Sequence, residues 1–185
     1  KFQKPKYVGD PINAVKIFNE KKVDELIILD IDASKKRKSP DFKKLEIIAN
    51  ESRMPLTYGG GITTVEQAKN IISLGYEKVS ISSFVFENIG IIEKISNAIG
   101  SQSVVVTLDY KKNFVSNNYS IFTLNGSKKH NHNIFKLAKE IESLGAGEIL
   151  FNSIDRDGTM SGYDINFAKE IRSKIDTQIT FLGGA

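Results

Sequence analysis

Cysteine is absent from the 185 residues, histidine occurs only twice, and no long apolar run is present. Without cysteine the chain has no disulfide, no thiolate metal site and no cysteine nucleophile. His130 and His132 are too few for a histidine-rich metal site, so neither a metal nor a cofactor is predicted. No run approaches the roughly 18 apolar residues of a membrane span, and no secretory signal pattern opens the chain. We therefore expect a cytoplasmic protein that does not bind membranes.

The charge balance is slightly positive, with 26 Lys and Arg against 22 Asp and Glu. This balance favours anionic ligands mildly and gives little support for a nucleic-acid partner. The exception is SKKRKS, residues 34–39, which contains four consecutive cations. Such a run is typical of a localisation signal or a nucleic-acid patch, of a solvated loop, or of a loop beside an anionic substrate. The location of the loop in the fold decides between these interpretations.

Short apolar runs alternate with segments of helical periodicity along the chain. The runs are predicted as six strands at 26–29, 55–58, 78–82, 103–108, 148–153 and 178–182. Between them apolar residues recur at helical spacing, as at Ile12, Val15 and Phe18. This alternation is typical of βα units and a parallel sheet. Residues 113–126 break the rhythm with alternating polarity and an Asn-Gly signal, so a β-hairpin excursion is predicted there.

The chain also resembles itself. DELIILDIDAS is followed by PLTYGGGI, and GEILFNSIDRDGT is followed at nearly the same spacing by QITFLGGA. This duplication predicts two half-barrels, and hence an α/β protein with the (β/α)8 TIM-barrel fold rather than a doubly wound sheet. A barrel needs eight strands, so we expect the first strand before Lys1 and the last units after Ala185. Residues 1–185 would then form a single, partial barrel domain.

Glycines and hydroxyls stand at several predicted strand ends, where barrels carry their chemistry. Backbone amides beside a helix start suit a phosphate, although a tight strand-to-helix turn also explains such glycines. The candidate phosphate ligands are Gly59, Gly60 and Gly61 in YGGGI, Gly158 and Thr159 in DRDGT, and Gly183 and Gly184 in LGGA. Two glycine-rich ends half a barrel apart predict two phosphates on one elongated molecule.

Aspartates follow three of the predicted strands. Asp109 ends the apolar run VVVTLD, where a fixed and partly desolvated carboxyl suits a general acid or base. A helix cap or an ion pair with Lys111 is the alternative. Two further pairs of aspartates are Asp30 with Asp32 and Asp155 with Asp157. In each pair we expect one carboxylate to face the site and the other to orient a loop.

Charged residues also stand where three of the strands begin. Glu25, Lys78 and Glu148 each precede or open an apolar run. Exposed charges flanking strands explain each of them separately. Together, two acids and one base from three strands predict a salt-bridged ring across the barrel floor.

Taken in order, GDPINAVKIFNEKKVDELIILDIDAS, PLTYGGGI, KVSIS, VVVTLD, GAGEILFNSIDRDGTMSGYD and GGA resemble the cyclase subunit of imidazole glycerol phosphate synthase. The resemblance implies a barrel that docks a glutaminase subunit at its floor as a heterodimer. Ammonia from the glutaminase would cross a charged gate and the barrel interior. It would convert a bis-phosphorylated ribulosyl aminoimidazole carboxamide nucleotide into imidazole glycerol phosphate and an aminoimidazole carboxamide ribotide, a lyase-type step of histidine biosynthesis.

The resemblance also assigns roles to residues. Asp109 matches one of two catalytic aspartates, and the other belongs to the first strand. Glu25, Lys78 and Glu148 match three members of the ammonia gate, whose arginine also belongs to the first strand. Ser82 and Ser83 match the family's phosphate motif at the end of the predicted strand 78–82, which would be the fourth strand of the complete barrel. Asp157 beside Gly158 is a further candidate for substrate binding, and Asp30 and Asp155 are predicted as supporting acids at strand ends.

Departures from the family pattern cluster on the substrate face. Ser82 stands where asparagine is usual, Asn152 where threonine is usual, and Leu182 and Tyr110 where small residues are usual. This pattern resembles paralogues from surface-polysaccharide clusters, which deliver ammonia to a sugar derivative. A non-catalytic partner of a glutaminase is a further alternative. KVSIS and the gate residues favour the cyclase over the sister isomerase of the same pathway.

Overall fold

A computed structural model describes residue 2, residue 7, residues 9–113 and residues 118–185. The strands of the described residues are β1 (Leu26–Leu29), β2 (Leu56–Gly59), β3 (Lys78–Ile81), β4 (Val104–Lys112), β5 (Tyr119–Thr123), β6 (Lys128–His130), β7 (Glu148–Ser153) and β8 (Gln178–Leu182). The helices are α1 (Pro11–Lys21), α2 (Ala33–Lys36), α3 (Phe42–Glu51), α4 (Val65–Ser73), α5 (Ile91–Ile99), α6 (Ile134–Ser143) and α7 (Ile165–Arg172). Two 3₁₀ turns lie at Ser83–Phe86 and Ser101–Ser103.

Six of the strands form one parallel sheet in chain order, β1-β2-β3-β4-β7-β8. The chain passes through at least one helix between each parallel strand and the next, because parallel strands cannot be joined by a tight turn and need a longer crossover connection. The prediction of six βα-type strands is therefore confirmed, and the fold is an incomplete (β/α)8 barrel. No helix within the described ranges is long and apolar enough to cross a membrane.

The core lies between the sheet and its helices. On β4, the successive residues Val104, Val105 and Val106 are all buried, as expected for a parallel strand that is covered on both faces. Helix α4 buries Ile71 and helix α5 buries Ile95 on the faces turned towards the sheet. Each fully buried aliphatic side chain contributes about 1.5–3 kcal/mol, so this double layer fixes the strand ends that carry the polar residues.

Polar caps set where the helices begin. The Thr64 hydroxyl accepts a hydrogen bond from the Gln67 amide (3.2 Å), and the Gln67 side-chain oxygen accepts one from the Thr64 amide (3.1 Å). This reciprocal arrangement is a capping box. Asp10 likewise accepts from the Ile12 amide at 2.7 Å. The Thr64 cap starts α4 and so holds the turn that follows β2 in place, and the Asp10 cap starts α1.

The hairpin predicted at 113–126 lies within a larger antiparallel excursion. From Asp109 to Lys112 the end of β4 pairs with β5, and β5 pairs with β6. Asp109 and Tyr110 also keep their parallel pairing with β7. Strand β4 therefore runs four residues beyond its predicted end at Leu108. The Asn-Gly signal forms the β5–β6 turn, where Asn125 has a φ of 58°. Residues 114–117 of the predicted hairpin lie outside the described residues.

The two outer strand pairs show the duplication at the level of single residues. Strand β1 pairs with β2 up to Leu29 and Gly59, and β7 pairs with β8 up to Asn152 and Leu182. One constant shift along the sequence superimposes the first pair on the second. It matches Glu25 with Glu148, Thr57 with Thr180, Asp32 with Asp155, and Gly60 with Gly183. The register therefore makes Asp32, rather than Asp30, the counterpart of Asp155.

Candidate active site

The carboxyl ends of the parallel strands surround a cavity of about 810 Å³. Many of the sequence-predicted site residues line it. They are the glycines Gly59, Gly60, Gly61 and Gly183, the aspartates Asp30, Asp109 and Asp157, and the serines Ser82 and Ser83. The structure thus brings residues from six strand ends to one cavity.

Asp109 lies where β4 turns from the barrel into the hairpin excursion. In the parallel register it faces Asn152 of β7, whose side-chain amide nitrogen donates to Asp109 Oδ1 at 2.9 Å. Burial raises the pKa of Asp109 to about 6, the Asn152 hydrogen bond opposes this rise, and the Asp157 charge adds to it. Asp109 can therefore exchange a proton near neutral pH.

The raised pKa of Asp109 gives the fold a pH dependence. Because the folded carboxyl binds its proton up to about pH 6, against 3.8 ordinarily, ionising it costs stability as the pH rises through this window. Asp109→Asn removes this cost. We expect the variant to exceed the parent in unfolding free energy by about 3 kcal/mol above pH 7, and the difference to vanish near pH 4. Denaturant unfolding at both pH values measures it; a difference independent of pH would contradict the assignment.

The turn after β7 separates its two aspartates. Asp157 lines the cavity, whereas Asp155 accepts a hydrogen bond from the Lys112 amide at 3.1 Å and so holds the extension of β4. Gly158 and Thr159 lie in the exposed continuation of this turn, outside the described cavity wall. The Thr159 hydroxyl donates to the Arg156 carbonyl oxygen at 2.7 Å. In this conformation Gly158 and Thr159 are not brought to the cavity.

Steric contacts require glycine at two matching positions. A Cβ at Gly60 would lie 2.6 Å from the Asp30 carbonyl oxygen, and one at Gly183 would lie 2.6 Å from the Ser153 carbonyl oxygen. Both glycines have a positive φ, 131° and 89°. The tight turn alone therefore accounts for these glycines. Gly184 is buried beside the Gly162 carbonyl oxygen and does not line the described cavity.

The basic segment lies beside the cavity. Residues 33–36, predicted as part of a loop, form the short helix α2, in which Lys36 pairs with Asp32. Asp30 accepts hydrogen bonds from the amides of Asp32 (3.1 Å) and Ala33 (3.0 Å), and so fixes the start of this helix. Lys35 lines the cavity. Of the interpretations of the basic run, its place in the fold favours a segment beside an anionic ligand.

The hairpin turn supplies part of the wall that the sequence did not predict. Leu124 and Asn125 line the cavity, and the Leu124 amide donates to Ser83 Oγ at 3.4 Å. On β6 the His130 ring stacks on Phe86 with centroids 4.0 Å apart. These contacts fasten the hairpin to the turn after β3. Within the described residues, no three His, Asp or Glu side chains are placed to hold a metal ion.

A buried hydroxyl pair was also missed. Ser80 Oγ and Thr107 Oγ1 are 2.7 Å apart, and both residues line the cavity. Side chains two apart on a strand share a face, so β3 carries Lys78 and Ser80 on one face. By the same rule Thr107 and Asp109 share a face of β4. Small hydroxyl residues inside otherwise apolar strands were the available signal, in KVSIS and VVVTLD.

The opposite strand ends hold an ion cluster. Lys78 Nζ lies 3.2 Å from Glu25 Oε2 and 2.9 Å from Glu148 Oε2. Thr57 donates to Glu25 Oε1 at 2.7 Å, and Thr180 donates to Glu148 Oε1 at 2.5 Å. Desolvation lowers the pKa of Lys78, but the hydrogen bonds to Glu148 and Glu25 outweigh it and raise the pKa above its ordinary value. We call these five residues the floor cluster.

The floor cluster repeats the duplication of the chain. Glu25 with Thr57 and Glu148 with Thr180 are matching pairs of the two halves, and they hold one lysine between them. The predicted ring residues are thus brought together, with two threonines that the sequence prediction did not include. Each carboxylate has a lysine and a hydroxyl partner, which a charge removed from water needs.

Comparison with known proteins agrees with this architecture. The histidine biosynthesis protein family matches residues 1–185. Relatives from Vibrio vulnificus and Leptospira borgpetersenii, named putative imidazole glycerol phosphate synthase subunits hisF3 and HisF, are each 52% identical over the whole of this chain and are covered to 71% and 72%. The imidazole glycerol phosphate synthase subunit HisF of Petrotoga mobilis is 40% identical over 184 residues, which are 73% of that protein. The chain therefore belongs to the histidine biosynthesis protein family and, within it, to the cyclase subunits of imidazole glycerol phosphate synthase.

Proposed function

We propose that the chain uses ammonia to convert a bis-phosphorylated ribulosyl aminoimidazole carboxamide nucleotide into imidazole glycerol phosphate and an aminoimidazole carboxamide ribotide. The observation that carries this proposal is the arrangement of inward-facing polar residues on β3 and β4. They run from Lys78 in the floor cluster, past the Ser80–Thr107 pair, to Asp109 in the cavity. The chain would act in the cytoplasm as the lyase-type subunit of a glutamine amidotransferase.

Asp109 is the proposed acid/base group. Addition of ammonia to a carbonyl-like centre and closure of the imidazole ring both need protons moved between neighbouring atoms. A carboxyl with a pKa of about 6 is partly protonated near neutral pH and serves both directions of transfer. The resemblance assigns the second aspartate of the reaction to a strand that would precede β1.

Ammonia has to remain unprotonated to act as a nucleophile. The strand faces between the floor cluster and Asp109 carry apolar side chains and the neutral Ser80–Thr107 hydroxyls. Such a route offers neutral ammonia hydrogen-bond partners without offering an ammonium ion a counter-charge. A glutaminase docked over Glu25, Lys78 and Glu148 as a heterodimer would release ammonia directly into it.

Two matching glycine turns are the proposed phosphate sites. Gly60 and Gly61 follow β2, Gly183 follows β8, and all three line the cavity. Their amides and the nearby Lys35 suit phosphate groups. Binding at both ends of an elongated substrate would fix its reacting middle near Asp109, which is the positional contribution to rate.

Titration with inorganic phosphate tests the anion sites. We expect the amide NMR signals of Gly60, Gly61 and Gly183 to shift with phosphate concentration, because their N–H groups would donate to the anion. Gly75 and Gly145, which follow α4 and α6 away from the cavity, serve as matched controls and should not move. Equal shifts at the control glycines, or none at the cavity glycines, would contradict the two-phosphate assignment.

Complementation tests the function itself. The full-length gene, expressed with its glutaminase partner, should restore growth of a histidine auxotroph that lacks the cyclase. Purified protein should form imidazole glycerol phosphate from the nucleotide and ammonium chloride. Failure of the well-expressed, folded protein in both assays would overturn the histidine-pathway proposal.

The second candidate is a paralogue that delivers ammonia to a sugar derivative. It is favoured by the location of the departures from the family pattern. Three of the four departures, Ser82, Asn152 and Leu182, line the cavity, whereas the floor cluster keeps its acids and lysine. The fourth, Tyr110, is instead buried in the core against Phe167. A changed substrate with an unchanged ammonia route would produce this distribution. Amidation of a sugar without turnover of the nucleotide would identify this function.

A further inference from the structure

Asn152 lines the cavity, and the fold does not require a side-chain amide at its position. One shift along the sequence superimposes the two halves, and it matches Asn152 with Leu29. Leu29 and the neighbouring Leu182 both line the same cavity. Since leucine occupies the matching strand end, neither the backbone nor the core requires an amide at position 152. The amide therefore has another role.

One polar atom of Asn152 is already occupied. Its Nδ2 donates to Asp109 Oδ1 at 2.9 Å. An ionised carboxylate only accepts hydrogen bonds, so the nitrogen of the amide has to face it. This contact fixes the orientation of the amide and holds the Asp109 carboxyl group at the cavity.

The other polar atom is unpaired. Asn152 is 9% exposed, and its Oδ1 has no hydrogen-bond partner among the described residues. Buried acceptors are nearly always paired, and an exception calls for an explanation. This oxygen is itself closed to solvent, but the Asn152 side chain lines the cavity, so an N–H or O–H that a bound molecule brings against this side chain is the partner that its position suits.

We propose that Asn152 positions Asp109 through its amide N–H and determines specificity through its amide oxygen, which accepts a hydrogen bond from an N–H or O–H of the substrate. The substrate half of this inference rests on the proposed function. In asparagine the donor (Nδ2) and the acceptor (Oδ1) are two different atoms of the amide group. A threonine hydroxyl presents both at one atom, so the two residues select different donor positions next to the same carboxyl.

The positioning half is tested on the full-length protein without substrate. The carbon-13 NMR signal of the Asp109 carboxyl is followed against pH in the parent, Asn152→Leu, Asn152→Thr and the exposed control Asn70→Leu. Loss of the donor in Asn152→Leu should raise the midpoint above that of the parent. Asn152→Thr, which keeps a donor, and Asn70→Leu should remain near the parent. An unchanged midpoint in a folded Asn152→Leu variant overturns the positioning role. So does a rise in Asn152→Thr that equals the rise in Asn152→Leu.

The charged groups around Asp109 are the same in all these variants. Asp157 lies on the turn after β7, and Asp30 and Lys35 lie across the cavity. A difference in midpoint therefore reports the contact with residue 152. Melting curves of each variant establish that the titrated protein is folded.

The specificity half is tested by kinetics with the bis-phosphorylated nucleotide and ammonium chloride. Asn152→Thr should keep kcat and its pH profile but raise KM about tenfold, because the N–H or O–H of the substrate loses its hydrogen bond to the amide oxygen. Asn152→Leu should also lower kcat and shift the profile. An unchanged KM in both variants overturns specificity. A parent that does not turn over the nucleotide overturns the proposed function instead, while the titration still decides positioning.

Discussion

Replacing Asp109 with asparagine is expected to lower ammonia-dependent turnover about 10²–10⁴-fold, the usual range for loss of a general acid or base. The substitution keeps the shape of the side chain, and an asparagine oxygen still accepts the hydrogen bond from Asn152. The protein should therefore remain folded and be more stable at neutral pH. Turnover with ammonium chloride and a thermal melt of the same sample measure the two effects together.

Two comparisons give the Asp109→Asn result its meaning. Asp176→Asn changes an exposed aspartate in the loop before β8, at the opposite strand ends, and should retain turnover. A glutaminase assay of the complex separates the non-catalytic alternative, because a chain that only activates its partner would stimulate glutamine hydrolysis equally with and without the Asp109→Asn substitution. Near-normal synthesis by the asparagine variant would remove Asp109 from the mechanism.

The parallel sheet could be predicted from the sequence because its strands are buried on both faces. Such strands appear as short apolar runs between helical repeats, and three of the six have the predicted ends. Strand β4 runs longer than predicted because its continuation is stabilised by antiparallel pairing with β5. The partners on β5 belong to the same hairpin, but Asp109, Lys111 and Lys112 end the apolar run, so periodicity alone does not extend the strand to Lys112.

The candidate site was predictable only as far as strand ends could be recognised. Asp109, Gly60 and Gly183 follow recognisable strands, and all three line the cavity. Gly158 and Thr159 follow a strand too, but the turn after β7 carries them into an exposed loop. Periodicity gives the face of a strand but not the path of the turn that follows it, so these two residues could not be placed.

Local repetition also concealed the register between the halves. The similar motifs DID (30–32) and DRD (155–157) favour an alignment of Asp30 with Asp155. The sheet register instead aligns Asp32 with Asp155, and therefore Leu29 with Asn152. One sequence shift matches both Glu25 with Glu148 and Asp32 with Asp155, whereas the similarity of DID and DRD favours a different shift. Only with the correct register does Asn152 stand out against an apolar counterpart.

Lys78→Met is expected to have the largest effect on stability. Glu148 has 6% side-chain exposure and Lys78 has 16%, so the pair is largely removed from water. Removing one partner of such a pair typically costs about 3–5 kcal/mol, because the remaining charge stays buried without compensation. Denaturant unfolding of the parent, Lys78→Met and the double variant Lys78→Met/Glu148→Gln measures this cost. The double variant should recover part of it, since it neutralises the stranded charge.

Lys69→Met is the matched control, because Lys69 forms an ion pair with Glu66 on the exposed face of α4 at 3.7 Å. It should change stability by less than about 1 kcal/mol. If the floor cluster also admits ammonia, Lys78→Met/Glu148→Gln should lose glutamine-dependent synthesis far more than synthesis from ammonium chloride, since free ammonia can enter the cavity from solvent. The ratio of the two rates does not depend on how much of the protein is folded, since both rates scale with the folded amount. An unchanged ratio would leave the floor cluster a structural role alone, and a Lys78→Met variant as stable as Lys69→Met would contradict even that.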